Sequence, residues 1–91
     1  MVWTYTLLLE DGHYYVGKTD HLKHRIRQHQ RGQGSKWTSL HKMVAVDSLQ
    51  EGDFEKETTL QLMKEYGTEN VRGYTWSAID GSNLPVVGEE E

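Results

Sequence analysis

Apolar residues in this chain fall into short runs near its start and middle, with helix-spaced apolar positions between and after them. Residues 2–9 (VWTYTLLL) are β-branched, aromatic or aliphatic and too few for a typical helix, so they predict a strand. Asp11-Gly12 predicts a tight turn, since both residues tolerate positive φ, and residues 13–18 the return strand of a hairpin. A helix is expected next, capped by Thr19 or Asp20, running to about Arg31 and stopped by Gly32 and Gly34. Residues 33–42 read as a polar loop carrying Ser35, Trp37 and Thr38, and residues 43–49 alternate well enough for a third strand. A second helix is predicted over residues 53–66, ended by Gly67, and residues 70–77 leave room for a short fourth strand. The expected fold class is α+β, a small central antiparallel β-sheet of three strands plus that short fourth, flanked by helices. No repeat or linker divides the chain, which predicts one domain over residues 1–84 and a flexible acidic tail over residues 85–91.

Composition narrows the function classes. The chain has 91 residues, 35% of them hydrophobic, which suits one modest two-layer core. It has no cysteine, which excludes disulfides and thiolate-bound zinc. No apolar run approaches the roughly 20 residues of a membrane span, and the start lacks a signal-peptide pattern, so a cytosolic address without membrane contact is expected. Ten basic residues face fourteen acidic ones, for a formal net charge of −4. That balance argues against a simple nucleic-acid binder, whose affinity comes largely from phosphate neutralisation. The charge is uneven, however. Lys18, Lys23, Arg25, Arg27, Arg31, Lys36 and Lys42 share their stretch with the single acid Asp20, while acids collect at residues 47–57 and 89–91. A local basic face on an acidic protein is compatible with weak binding of DNA or RNA.

Both helices carry polar groups where apolar ones are expected. At about 100° per residue, Leu22 and Ile26 define the inner face of the first helix, and Arg25 and His29 fall on or beside it. Arg25 snorkelling at the stripe edge, with His29 as a satisfied half-buried histidine, is the plain reading. Their i, i+4 spacing toward the strand that carries Tyr15 favours a site that handles a phosphodiester. On the second helix Glu55 falls within the arc of Leu62, Tyr66 and Met63, whereas Glu57 falls on the solvated side with Gln61 and Lys64. A carboxylate among such neighbours is costly unless it is paired or metal-bound. An ion pair with Arg25 and a lone carboxylate holding Mg²⁺, the rest of whose shell is water and substrate phosphate, both remain open. Tyr5 and Tyr15 lie on adjacent predicted strands and can approach each other, although most strand tyrosines simply pack.

Together these residues resemble the GIY-YIG nuclease domain. Tyr15-Val16-Gly17 matches the family's second signature segment, and Trp3-Thr4-Tyr5 stands at the first, keeping the tyrosine but not the glycine and isoleucine. Residues 20–25 (DHLKHR) followed by His29 look like the helix with the catalytic arginine, and residues 32–38 (GQGSKWT) like the glycine-rich loop after it. Glu55 stands at the metal-binding glutamate, and Asn70 at an asparagine that supports the site. The resemblance runs from about Trp3 to Gly73.

The resemblance implies metal-dependent endonuclease activity on DNA phosphodiesters, with Mg²⁺ or Mn²⁺ as cofactor and repair, recombination or mobile-element roles. Tyr5 is implied as general base, with Tyr15 positioning the nucleophile or sharing that role. Arg25 would stabilise charge on the phosphate, Glu55 would hold the metal and His29 would hydrogen-bond near the nucleophile. Lys18, Arg27, Lys36 and Asn70 are the candidates for contacting substrate. Related proteins often carry a separate DNA-binding domain. Here a protein partner is expected to supply DNA affinity, or the substrate is branched or nicked DNA. The alternative is a catalytically idle nucleic-acid-binding or protein-interaction module of the same fold.

Overall fold

The computed structural model describes residues 1–85, so the acidic tail expected at the end of the chain lies almost wholly outside the described residues. Four strands, β1 (Trp3–Leu9), β2 (Tyr14–Thr19), β3 (Met43–Glu51) and β4 (Val71–Gly73), form one sheet in the order β3-β1-β2-β4. The hairpin between β1 and β2 turns through Asp11 and Gly12, both at positive φ (59° and 78°), as the sequence predicts. β3 pairs antiparallel with β1, but β4 pairs parallel with β2, so the sheet is mixed. A three-residue strand is too short for its direction to be read from sequence; α3, crossing between β3 and β4, sets it.

Helices cover both faces. Side chains alternate across a strand, so Tyr5, Leu7 and Leu9 share one face, where Trp37, Leu22 and Ile26 pack on them from α1 (Leu22–Gln30) and α2 (Lys36–Leu40). α2 is a difference from the expected loop. Ser35 caps it, accepting the Thr38 amide at 3.1 Å, and five residues are too few to show a helical period. At the start of α1, Thr19 accepts the His21 amide at 2.9 Å, so the hydroxyl that was expected to cap acts one residue outside the helix.

α3 (Glu55–Tyr66) lies on the other face, against β2 and β4. Its buried residues are Thr59 and Met63, which places the inward stripe on Glu55, Thr59 and Met63. Tyr66 is half-exposed and stacks on Tyr14 at 4.5 Å, rather than lining the helix's inner face as expected. A threonine at the centre of the stripe is invisible to a count of apolar residues; its hydroxyl is satisfied by the Glu55 carbonyl at 2.6 Å.

The shortness of β4 has a consequence for function. β4 pairs only with Tyr14, Tyr15 and Val16, so beyond Val16 the outer edge of β2 is open at Gly17, Lys18 and Thr19. Groups from both faces can meet there.

Candidate active site

The site is built around Gly17. In the β1–β2 register Tyr5 lies opposite Gly17, and a Cβ at Gly17 would collide with the Tyr5 phenol and press on the Tyr15 ring. Glycine is therefore required here by close approach rather than by turn geometry. The two tyrosine rings lie 6.4 Å apart, and the His29 ring sits 5.5 Å from Tyr5 and 5.0 Å from Tyr15. Gly34 closes the back of the cluster, since a Cβ there would run into the His29 imidazole.

His29 is the one buried residue of α1, 1% exposed, and both its ring nitrogens are engaged. Nε2 is 2.8 Å from the Tyr5 hydroxyl and Nδ1 is 2.9 Å from the Thr38 hydroxyl. Thr38 in turn donates to the Ser35 carbonyl at 3.3 Å. Burial, aided by the nearby Arg25 charge, holds the His29 pKa down at about 4, so the ring is neutral at physiological pH. Burial and the neighbouring Tyr15 push the Tyr5 phenol well above its ordinary value, and the opposing pull of Arg25 is the weaker influence. Tyr15 is raised by burial and then by Glu55, again against Arg25. Both tyrosines thus rest as neutral phenols.

Arg25 and Glu55 approach this pair from opposite faces of the sheet, and each acts electrostatically on both tyrosine hydroxyls. The expected alternative, an ion pair between them, does not form among the described residues. Instead the Arg25 Nε is buried without a hydrogen-bond partner. Glu55 is half-buried, and burial raises its carboxyl pKa against the pull of Lys18. The loop before α3 delivers it. The Thr4 hydroxyl donates to the Gly52 carbonyl at 2.7 Å and accepts the Phe54 amide at 2.8 Å, while Asp53 accepts the Glu55 amide at 3.4 Å.

The other expected residues are spread out. Lys18 borders the open edge, but its ammonium is bonded to Asp53 at 2.9 Å, which raises its pKa. Arg27 and Lys36 are exposed, Lys36 beside residues 77–80. Asn70 does not join the site. It lies past the C-terminal end of α3, the helix that Glu55 opens, and its amide donates to the Tyr66 carbonyl at 2.8 Å. That carbonyl belongs to the last turn of the helix, where acceptors lack partners within the helix. Thr38 and Ser35 belong to the site, although the sequence placed them only in a polar loop; the signal available was a serine suited to the N-cap ahead of a short helix.

Among the described residues no three His, Asp or Glu side chains converge as a metal cage, and no helix is long and apolar enough to cross a membrane. Comparisons with known proteins agree with the geometry. The family model of the GIY-YIG catalytic domain matches residues 1–71. A UPF0213 protein of Bacillus cereus (strain ATCC 10987 / NRS 248) is 34% identical over 62 residues, covering 68% of this chain. The match spans 62% of that relative's length. No solved structure matches significantly. With its tyrosine pair, arginine, histidine and glutamate gathered at one open strand edge, the chain belongs to the GIY-YIG family of nuclease domains.

Proposed function

We propose that the chain is an endonuclease that hydrolyses DNA phosphodiesters with the help of one divalent cation, Mg²⁺ or Mn²⁺. The observation that carries this reading is the buried Tyr5–His29 hydrogen bond set beside an arginine and a glutamate that have no partner in each other. A structural cluster would be expected to pair its charges. A site for a phosphate leaves its guanidinium to the substrate and its carboxylate to a metal.

The donor set fits such a cation. Glu55 alone is poor for calcium or zinc, but Mg²⁺ commonly takes one or two carboxylates and completes its shell with water and phosphate oxygens. Bound there, the cation would supply positive charge to the phosphate and lower the barrier to charge build-up on it.

The chain's own groups account for the proton and the charge. As a water oxygen forms its bond to phosphorus, its proton passes to the Tyr5 hydroxyl oxygen, and the Tyr5 proton passes to His29 Nε2. The bond to the leaving oxygen breaks, and that oxygen takes a proton from solvent; His29 later releases its extra proton to solvent. This relay removes the difficulty of a buried tyrosine whose pKa is raised, because a free phenolate is never required. Arg25 is one of the two influences that keep His29 low, and a phosphate on Arg25 would cancel it, so substrate itself makes His29 a better acceptor. Arg25 stabilises the charge that develops on the non-bridging oxygens. Tyr15 orients the water, and Lys18, Arg27 and Lys36 contact the DNA backbone. The net charge of −4 makes a partner protein or a branched or nicked substrate part of this proposal.

The test is cleavage of plasmid, linear, single-stranded, flap and four-way-junction DNA at low salt with Mg²⁺ or Mn²⁺. Cuts that vanish with EDTA and in Glu55→Ala support the reading. Folded protein that cuts nothing, alone or with added partner fractions, supports the idle binding module instead.

A further inference from the structure

His29 is useful to Tyr5 only in one of its two neutral forms. If the ring proton sits on Nδ1, Nε2 carries the lone pair that can receive the Tyr5 proton. If it sits on Nε2, that nitrogen already donates to Tyr5 and can accept nothing. A free neutral histidine favours the Nε2–H form, so the surroundings must select the other one.

We infer that Thr38 is a positioning residue that holds His29 as the Nδ1–H tautomer and so keeps Nε2 free to accept from Tyr5. The inference deepens the nuclease reading and rests on it for its catalytic meaning, though not for its geometry. Tyr5 is 2% exposed, and among the described residues its hydroxyl has one hydrogen-bond partner, His29 Nε2. Were Nε2 protonated, no protein group among the described residues would accept the phenolic hydrogen, at a cost comparable to a lost hydrogen bond. With the proton on Nδ1, every group is served. Tyr5 donates to Nε2, Nδ1–H donates to the Thr38 oxygen at 2.9 Å, and Thr38 donates to the Ser35 carbonyl at 3.3 Å.

Thr38 is well placed to impose this order. It is fully buried, and its position is locked by the cap of α2, where its amide donates to the Ser35 hydroxyl at 3.1 Å. The Ser35 hydroxyl also lies 3.0 Å from the Thr38 oxygen and can donate to it, which leaves that oxygen's hydrogen for the carbonyl. The five-residue helix α2 thus holds a hydroxyl at a set distance behind the histidine. The residue belongs to neither of the two signature segments nor to the arginine helix.

The experiment is long-range ¹H–¹⁵N correlation on ¹⁵N-histidine-labelled protein near pH 7, paired with cleavage kinetics. Wild type should show a bare Nε2 and a protonated Nδ1 at His29. Thr38→Val should lose that preference and lower kcat by about 10²-fold, within the range by which a positioned proton acceptor accelerates a reaction. KM should stay within about twofold, since ground-state binding is untouched. Thr38→Ser, which keeps the hydroxyl, should restore both tautomer and kcat. A wild-type His29 protonated on Nε2 would overturn the inference even if Thr38→Val failed to fold. So would a folded Thr38→Val with the wild-type tautomer and rate. If wild type cuts no DNA, the nuclease reading fails, while the tautomer spectra still decide the role of Thr38.

Discussion

The inner and outer halves of the site are satisfied to opposite degrees. On the inside Tyr5, His29, Thr38 and Ser35 form a chain in which each side-chain polar atom has a partner between 2.8 and 3.3 Å away. On the outside Arg25 keeps a buried nitrogen with no partner, and Glu55 is half-buried with no cation bonded to it among the described residues. The fold completes the first half by itself and leaves the second to whatever binds. A satisfied network contributes to stability, whereas unpaired buried charge costs stability and is kept where function uses it. Mutations in the two halves should therefore separate activity from stability.

The largest effects are expected outside. Arg25→Ala and Glu55→Ala should each lower cleavage by about 10²–10³-fold, the usual range for removing one group that stabilises transition-state charge. Thermal melts of both variants should stay close to that of wild type, because the two side chains form no ion pair with each other and Glu55 would lose only the Tyr74 backbone amide and the pull of Lys18. A drop in melting temperature comparable to a core mutation would collapse the distinction between the two halves.

Inside, the order reverses. His29→Ala should destabilise by about 3 kcal/mol, from the cavity and from the Tyr5 and Thr38 hydroxyls left unpaired. Urea denaturation measures it. Gly17→Ala should cost about 1–3 kcal/mol by overpacking against Tyr5. It should also reduce cleavage, since the phenol it displaces is the one that meets the water in the proposed mechanism.

Acid should weaken the inner half in a defined window. The His29 pKa is about 4 in the fold and near 6.5 when unfolded, so below 6.5 the unfolded chain binds the proton more readily. His29 therefore contributes stability that is present above about pH 6.5 and is lost as pH falls toward 4, up to about 3 kcal/mol. Denaturation midpoints across pH 4–7 in wild type and His29→Gln should differ in slope; parallel curves would mean that His29 is not buried neutral. The smallest effect is expected at Lys18. Its exposed bond to Asp53 should leave stability unchanged on replacement by alanine, while the salt dependence of DNA binding becomes shallower.

How much of this was legible in the sequence follows a physical line. Periodicity singled out Arg25, His29 and Glu55, because long helices bury a face and a misplaced polar residue on that face stands out, whereas Tyr5 came forward only through the family resemblance. Periodicity could not show β4's direction, set by the path of α3 over the sheet, or α2, which is too short to have a period. It also misjudged the inner stripe of α3, where Thr59 rather than a larger apolar residue meets the sheet. Asn70 was drawn to the site by resemblance, and the fold uses its amide to close a helix instead. Thr38 was passed over because its importance lies in one hydrogen bond to a residue nine positions away.

The most direct test of the account is Tyr5→Phe on a DNA that the wild type cuts. The change removes one oxygen and leaves ring packing in place, so it isolates the start of the relay. The account predicts a loss of at least about 10²-fold in kcat, with the protein folded and DNA affinity retained. Cleavage near the wild-type rate would contradict it, and would mean that the water loses its proton elsewhere.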